Sequence, residues 1–79
     1  MNKVFELEGE LYADLESALT AAAVLLRDDA ACYSQATGMG IVFGVFRREG
    51  LRVHYRVRYD AEPADTVYEY EIVEREVHP

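Results

Sequence analysis

The sequence predicts an α+β domain in the order β-α-β-β-β, with one long helix packed on one face of a four-stranded, mostly antiparallel sheet. Three observations favour this fold. Apolar and polar residues alternate in the first dozen residues and again after residue 50, apolar residues recur at helical spacing in between, and glycine-containing turns separate these stretches. With 79 residues the chain has room for a single domain, residues 1–79, with a thin core.

The first predicted strand covers residues 3–12, where an apolar side alternates with an acidic side. The apolar side holds Phe5, Leu7 and Leu11, and the acidic side holds Glu6, Glu8 and Glu10. This alternation indicates a half-buried strand whose carboxylates point to solvent.

A helix is predicted to begin after Asp14 and to end at Thr37–Gly38. Asp14 is a favourable N-cap, and glycine accepts the left-handed conformation of a C-terminal cap. Between these signals, apolar residues recur every three or four positions, at Leu15, Ala18, Leu19, Ala22, Leu26, Ala30 and Tyr33. We expect this stripe to cover the sheet.

Three more strands are predicted after the helix. The first, residues 40–47, is apolar on both faces, so its open face carries one of two sets. These are Ile41, Phe43 and Val45, or Val42 and Phe46. A three-residue hairpin loop, Arg48-Glu49-Gly50 with Gly50 left-handed, leads to a strand over residues 51–59. A loop over residues 60–65 precedes the last strand, residues 66–77.

The pairing of the last two strands follows from their side chains. If Tyr59 pairs with Thr66, apolar residues face apolar ones under the helix, while Arg56 meets Glu69 and His54 meets Glu71 on the open face. The alternation changes phase near Ile72–Val73, which predicts a β-bulge there. The position of the first strand, beside either the second or the fourth, stays open.

No catalytic apparatus is visible in the sequence. His54 lies among arginines as a surface residue would, and Cys32 is interpreted as a small residue that packs the helix. Histidine and cysteine residues lack the spacing of metal ligands, and Gly38 and Gly40 lie at the end of the helix, where they form no phosphate site. We therefore expect no enzyme, no cofactor and no metal.

Charge is the most informative property of the chain. Fifteen acidic and eight basic residues give a net charge of −7, which opposes binding of nucleic acid by the molecule as a whole. Five arginines concentrate between residues 47 and 58, flanked by acidic stretches. The chain has no apolar run long enough to span a membrane and no signal-peptide pattern, so we expect a cytoplasmic protein.

The acidic residues are the predicted partner-binding site. On one strand Glu6, Glu8 and Glu10 would be about 6.8 Å apart, as a row aimed at a basic groove of a protein. The residues that would extend this surface are Asp28, Asp29, Glu74 and Glu76. An ordinary solvated face is the alternative interpretation.

A stand-alone acidic chain of this size and element order resembles the anti-CRISPR proteins of phages and mobile elements. The segment Glu8-Gly9-Glu10-Leu11-Tyr12-Ala13-Asp14-Leu15-Glu16-Ser17-Ala18-Leu19 and the hairpin Arg47-Arg48-Glu49-Gly50 are similar to an inhibitor of type I-C systems. These proteins share no common signature, so the resemblance assigns no functional residue. It implies stoichiometric binding to a protein subunit of the RNA-guided surveillance complex (Cascade) in the bacterial host cell, where an acidic inhibitor blocks target-DNA binding.

Two other functions stay open. One is an antitoxin-like module that binds a small basic toxin. The other is nucleic-acid binding through Arg47, Arg52, Arg56 and Arg58, although the tyrosines that could stack on bases are expected under the helix. The favoured interpretation involves no direct contact with nucleic acid or membrane, and the protein is expected to be a monomer or a weak homodimer.

Overall fold

The computed structural model describes residues 2–77 and has an α+β fold with one helix and six strands in that range. The elements are β1 (Asn2–Leu7), β2 (Glu10–Tyr12), α1 (Leu15–Thr37), β3 (Ile41–Glu49), β4 (Arg52–Tyr59), β5 (Thr66–Glu71) and β6 (Val73–Val77).

The strands form two antiparallel sheets of three strands each. The terminal sheet has the order β2-β1-β6 and the central sheet has the order β3-β4-β5. The α+β class is confirmed, but the predicted single four-stranded sheet is wrong. The first and the last predicted strand are each interrupted, which divides the predicted single sheet into two.

The first interruption is a tight turn at Glu8–Gly9. Leu7 pairs with Glu10 across it, and both turn residues have positive φ, 50° for Glu8 and 85° for Gly9. Positive φ at both positions is the requirement of a type I′ turn, which glutamate rarely meets. The predicted strand over residues 3–12 is therefore a hairpin, β1–β2.

The second interruption is Ile72, where the chain leaves the central sheet and enters the terminal sheet. Ile72 is only 1% exposed, and its N–H donates to the carbonyl of Leu51 at 2.7 Å. The phase change near Ile72–Val73 thus marks a change of sheet rather than the predicted bulge. The irregularity in pairing lies instead in β3, between Ile41 and Phe43.

The predicted pairing of β4 with β5 is wrong by two residues. Val57 rather than Tyr59 pairs with Thr66, so His54 lies opposite Glu69 and Arg52 lies opposite Glu71. A shift of two keeps every side chain on its predicted face. The loop itself spans residues 60–65 as predicted, and Arg58 Nε donates to Asp65 Oδ1 at 2.7 Å beside it.

The β3–β4 hairpin also differs from the prediction in length. Glu49 pairs with Arg52, which leaves a loop of two residues, Gly50 and Leu51, instead of three. The predicted positive φ of Gly50 is confirmed at 60°. A glycine with positive φ at the first of two loop residues fits a type II′ turn.

The helix follows the prediction closely. Asp14 accepts a hydrogen bond from the Ser17 N–H at 2.7 Å, which lowers the pKa of its carboxyl, and Gly38 ends the helix with φ 74°. The fully buried part of its stripe is Ala18, Ala22, Leu26 and Ala30. Because three of these four side chains are small, both sheets can approach the helix closely.

The helix bridges the two sheets. Its first half packs in a core cluster that joins the sheets, composed of Leu7, Ala18, Ala22, Leu26, Val53 and Ile72. Its second half packs on the central sheet through Ala30, Val57 and Tyr59. The buried Tyr59 hydroxyl donates to the Ala30 carbonyl at 3.2 Å and lies 2.8 Å from the Tyr68 hydroxyl. Burial, with the bond to Tyr68, raises the pKa of Tyr59.

Candidate partner-binding surfaces

The predicted row of glutamates is divided between two faces of the terminal sheet. Glu6 pairs with Leu11, whereas Glu10 pairs with Leu7, whose side chain is buried under the helix. Residues paired across strands point to the same face. Glu10 therefore lies on the helix side, Glu6 lies on the opposite, open face, and Glu8 lies in the turn.

Glu6 is also neutralised. Its carboxylate forms an ion pair and hydrogen bond with Arg75 of β6, and its side chain is only 29% exposed. Half-buried or exposed apolar side chains share this open face with the pair, namely Val4, Leu11, Val73 and Val77. Glu6 is thus part of an internal ion pair rather than a free charge for a partner.

Two of the predicted acidic residues, Glu8 in the β1–β2 turn and Asp29 on the helix, both lie near Tyr70 of β5. The Tyr70 hydroxyl donates to Asp29 Oδ2 at 2.6 Å, and this bond, burial and the nearby charges of Asp29 and Glu8 raise the pKa of Tyr70 to about 12. Glu8 therefore lies near the Tyr70 hydroxyl, which is itself bonded to Asp29. We name Glu8, Glu10, Asp28 and Asp29 the hairpin–helix acidic surface.

The carboxylates of this surface are mostly unpaired. Glu8, Glu10 and Asp28 are exposed, and none of them forms an ion pair within residues 2–77. Asp29 is half-buried and held by Tyr70, which fixes its position. Glu8, Glu10 and Asp28 thus present unpaired negative charge to solvent.

Glu74 and Glu76 form a weaker acidic site on the edge strand β6. Glu74 Oε2 lies 3.7 Å from Lys3 Nζ, and Glu76 pairs with Lys3 across the strands. The positive charge of Lys3 thus offsets part of the negative charge of the two glutamates. Exposed ion pairs of this kind contribute little to the stability of the fold.

The open face of the central sheet carries the arginines, which are largely matched by acids. Arg58 and Arg56 lie 2.7 and 3.5 Å from Asp65, and Arg52 lies 3.3 Å from Glu71 and 3.5 Å from Glu69. Only Arg47 of this face forms no ion pair within the described chain. A depression between the side chains has a lining of Val45, Arg47, His54, Arg56 and Val67.

Phe43 is a feature of this face that the sequence left undecided. Phe43 pairs with Arg58 and Val45 pairs with Arg56, so both lie on the open face. Ile41 and Phe46 pair with Tyr59 and Tyr55 on the helix face, so neither predicted set is fully correct. The guanidinium carbons of Arg58 and Arg56 lie 5.7 and 5.9 Å from the centre of the Phe43 ring, within range of cation–π attraction. Identification of Phe43 as an open-face residue required the exact register of the β3–β4 hairpin, which the sequence did not predict.

The two candidate reactive residues are placed apart. His54 Nε2 lies 3.7 Å from Glu69 Oε1 and makes no hydrogen bond within the described residues. Cys32 is exposed on the helix, so its interpretation as a packing residue is wrong. No group of three potential metal-ligating side chains occurs between residues 2 and 77.

The chain matches no known family model, and neither a curated protein nor a solved structure is significantly similar to it. Within residues 2–77, no helix combines the length and the apolar character that a membrane crossing needs.

Proposed function

We propose that this protein is a stoichiometric anti-CRISPR inhibitor that binds a type I surveillance complex through the hairpin–helix acidic surface and blocks target-DNA binding. The observation that carries the proposal is the exposure of three carboxylates without ion pairs in the described chain, those of Glu8, Glu10 and Asp28, together with the fixed position of Asp29. Such a complex holds DNA through lysine and arginine side chains. Carboxylates bound to those side chains would exclude the phosphates by direct competition.

The negative net charge supports rapid association with a cationic surface. A charge of −7 attracts a basic partner over about one Debye length, roughly 8–10 Å at physiological salt. Electrostatic complementarity of this kind increases the association rate more than it increases the affinity.

Glu6, Glu74 and Glu76 have a smaller part in this proposal than the sequence indicated. Arg75 forms an ion pair with Glu6, and Lys3 lies opposite Glu76 and forms an ion pair with Glu74. Binding of a partner to these carboxylates would first require separation of internal pairs. The four residues of the hairpin–helix acidic surface are therefore the proposed contact site.

The arginine face gives less support to a nucleic-acid-binding function. Three of its four arginines have a carboxylate within 3.5 Å, so phosphate would have to displace Asp65, Glu69 or Glu71. A gel shift with mixed oligonucleotides measures this alternative directly, and a shift at micromolar protein would favour it.

A reconstituted type I-C complex and a labelled target DNA test the proposal. Wild-type protein should abolish the DNA gel shift near one equivalent, and inhibition should weaken between about 50 and 200 mM salt. The triple variant Glu8→Gln, Glu10→Gln, Asp28→Asn should lose most inhibition. Its matched control is Glu49→Gln, Glu69→Gln, Glu71→Gln, which removes the same charge from the central sheet.

Three results would contradict the proposal. These are absence of inhibition by the wild type at a large molar excess, full inhibition by the hairpin–helix variant, or equal loss in both triple variants. Circular dichroism of each variant confirms that it is folded. Co-purification with a small basic protein instead of the complex would favour the antitoxin-like alternative.

A further inference from the structure

The depression on the open face of the central sheet is large enough for a small molecule. Its volume is about 540 Å³, within the range of about 300–1,000 Å³ that small-molecule sites occupy. Three neighbouring strands contribute its lining residues, which are Val45 and Arg47 of β3, His54 and Arg56 of β4, and Val67 of β5. Apolar walls with a few polar groups are typical of sites that bind small molecules.

The strand register places an apolar row beside a charged row. Val45, Arg56 and Val67 are paired across the three strands, so the two valines flank Arg56. Val45 is 44% exposed and Val67 is 56% exposed, so each has apolar surface free for a ligand. In the next row, Arg47 pairs with His54. A molecule that fills the depression therefore contacts apolar side chains in one row and polar groups in the other.

Arg47 is the cation of the depression that forms no ion pair within residues 2–77. Arg56 differs, because it lies 3.5 Å from Asp65, which also binds Arg58 at 2.7 Å. A guanidinium presents N–H donors in a fork that matches the two oxygens of a carboxylate. Arg47 is therefore available for an anionic group from outside the chain.

His54 supplies a second, independent observation. Its Nε2 atom is out of contact with solvent and has no hydrogen-bond partner in the described part of the chain, since Glu69 Oε1 is 3.7 Å away. Nearly all buried polar atoms in proteins have a partner, so this nitrogen indicates a group that binds there. His54 lies directly opposite Arg47 in the same depression. An anion held by Arg47 can provide the missing acceptor once the long side chains around the ring move aside.

The charges around the depression favour a ligand with a single negative charge. Glu69 pairs with His54 across β4 and β5, so its carboxylate lies at the rim. It would repel the second charge of a phosphate dianion more than the one charge of a carboxylate.

We propose that the depression binds a small monocarboxylate with an apolar body. The carboxylate lies at Arg47 and His54, and the body lies between Val45 and Val67. This site does not depend on the proposed inhibitory function, because none of its lining residues belongs to the hairpin–helix acidic surface.

Benzoate is a suitable probe, and benzamide is its uncharged counterpart of the same shape. Amide NMR spectra of the wild type should show saturable shifts around the depression with benzoate, with a dissociation constant on the order of 1 mM at constant ionic strength. Benzamide lacks the charge and inorganic phosphate lacks the apolar body, so each should bind at least about tenfold more weakly. Absence of saturation by about 50 mM benzoate, or equal binding of either of the other two probes, would overturn the proposal.

Two variants locate the bound carboxylate. Arg47→Gln should increase the dissociation constant of benzoate at least about tenfold. The matched control is Arg48→Gln, which removes the same charge from the next residue of β3. Arg48 pairs with the buried Val53 and so lies on the helix side of the strand, and this variant should bind benzoate like the wild type. Equal loss in the two variants, or no loss in Arg47→Gln, would refute the site, and the same spectra show whether each variant is folded.

His54→Phe tests the role of the unpartnered nitrogen. It keeps an aromatic ring but lacks Nε2, so benzoate binding should weaken roughly fivefold, as expected for loss of one hydrogen bond. Unchanged affinity in this variant would contradict the assignment of His54 to the site.

Discussion

The contact of Tyr55 with Gly44 allows a sharp prediction, because the sign of its mutational effect depends on the structure. The Tyr55 ring lies over Gly44, so that a Cβ on Gly44 would lie 2.5 Å from Cζ and 2.6 Å from Cε1, with the hydroxyl closer still. The ring is also stacked on Phe46, with centroids 4.2 Å apart. Ordinary carbon contacts are about 3.5–4.0 Å, so Gly44→Ala requires the ring to move by about 1 Å.

Two opposing effects decide the magnitude. Alanine reduces the entropy of the unfolded chain, which stabilises a protein by about 0.4–1 kcal/mol at a position with compatible φ. Overpacking destabilises it by about 1–3 kcal/mol. Tyr55 packs against both core clusters and has little space to retreat, so we expect a net loss of about 1–2 kcal/mol.

Urea unfolding at low protein concentration measures this loss without a contribution from association. The control is the same substitution in a Tyr55→Leu background, since leucine lacks the two ring carbons and the hydroxyl in question. There Gly44→Ala should be neutral or stabilising. The reasoning is refuted if Gly44→Ala stabilises the wild type, or if it destabilises both backgrounds equally.

Two further predictions concern the core and alkaline pH. Leu26→Ala should lower the free energy of unfolding by about 2–5 kcal/mol, because Leu26 is fully buried between the sheets, whereas Val24→Ala on the exposed side should change it by less than about 0.5 kcal/mol. Similar losses for both in urea unfolding would contradict the assigned core. The bond to Asp29, with burial and the charges of Asp29 and Glu8, raises the pKa of Tyr70 to about 12 from an ordinary value of 10.0, so the folded state holds this proton more tightly than the unfolded state. Stability should therefore fall as pH rises from 10.0 to about 12, and less steeply in Tyr70→Phe. An identical pH profile in this variant would contradict the role of the bond.

Local signals in the sequence were sufficient for the helix. Asp14 and Gly38 act through their immediate neighbours, and the apolar stripe acts through helical periodicity, so neither needed knowledge of the tertiary fold. The faces of β4 and β5 were also predictable, because an error of two residues in pairing preserves the alternation of side chains.

The two-sheet architecture was not predicted because the first interruption has Gly9 as its single turn signal and the second interruption has none. Glu8 adopts positive φ, which is unfavourable for glutamate. Ile72 is a buried apolar residue, so the sequence pattern predicts that one strand continues through it. The error at Glu8 also misplaced the candidate site. The turn reverses the chain, so Glu6 and Glu10 lie on opposite faces of the terminal sheet. The ion pair of Glu6 with Arg75 was not predicted because the two residues are far apart in the sequence.

The crossing at Ile72 has a consequence for how the molecule assembles. The central sheet joins strands that are neighbours along the chain, whereas β1 and β6 pair Asn2 with Val77. Loop-closure entropy makes such distant contacts slow to form. We therefore expect the helix and the central sheet to form first, and the pairing of β1 with β6 to form last. The same asymmetry makes the terminal strands the first to separate in the native state, which would briefly uncover the apolar side chains beneath them.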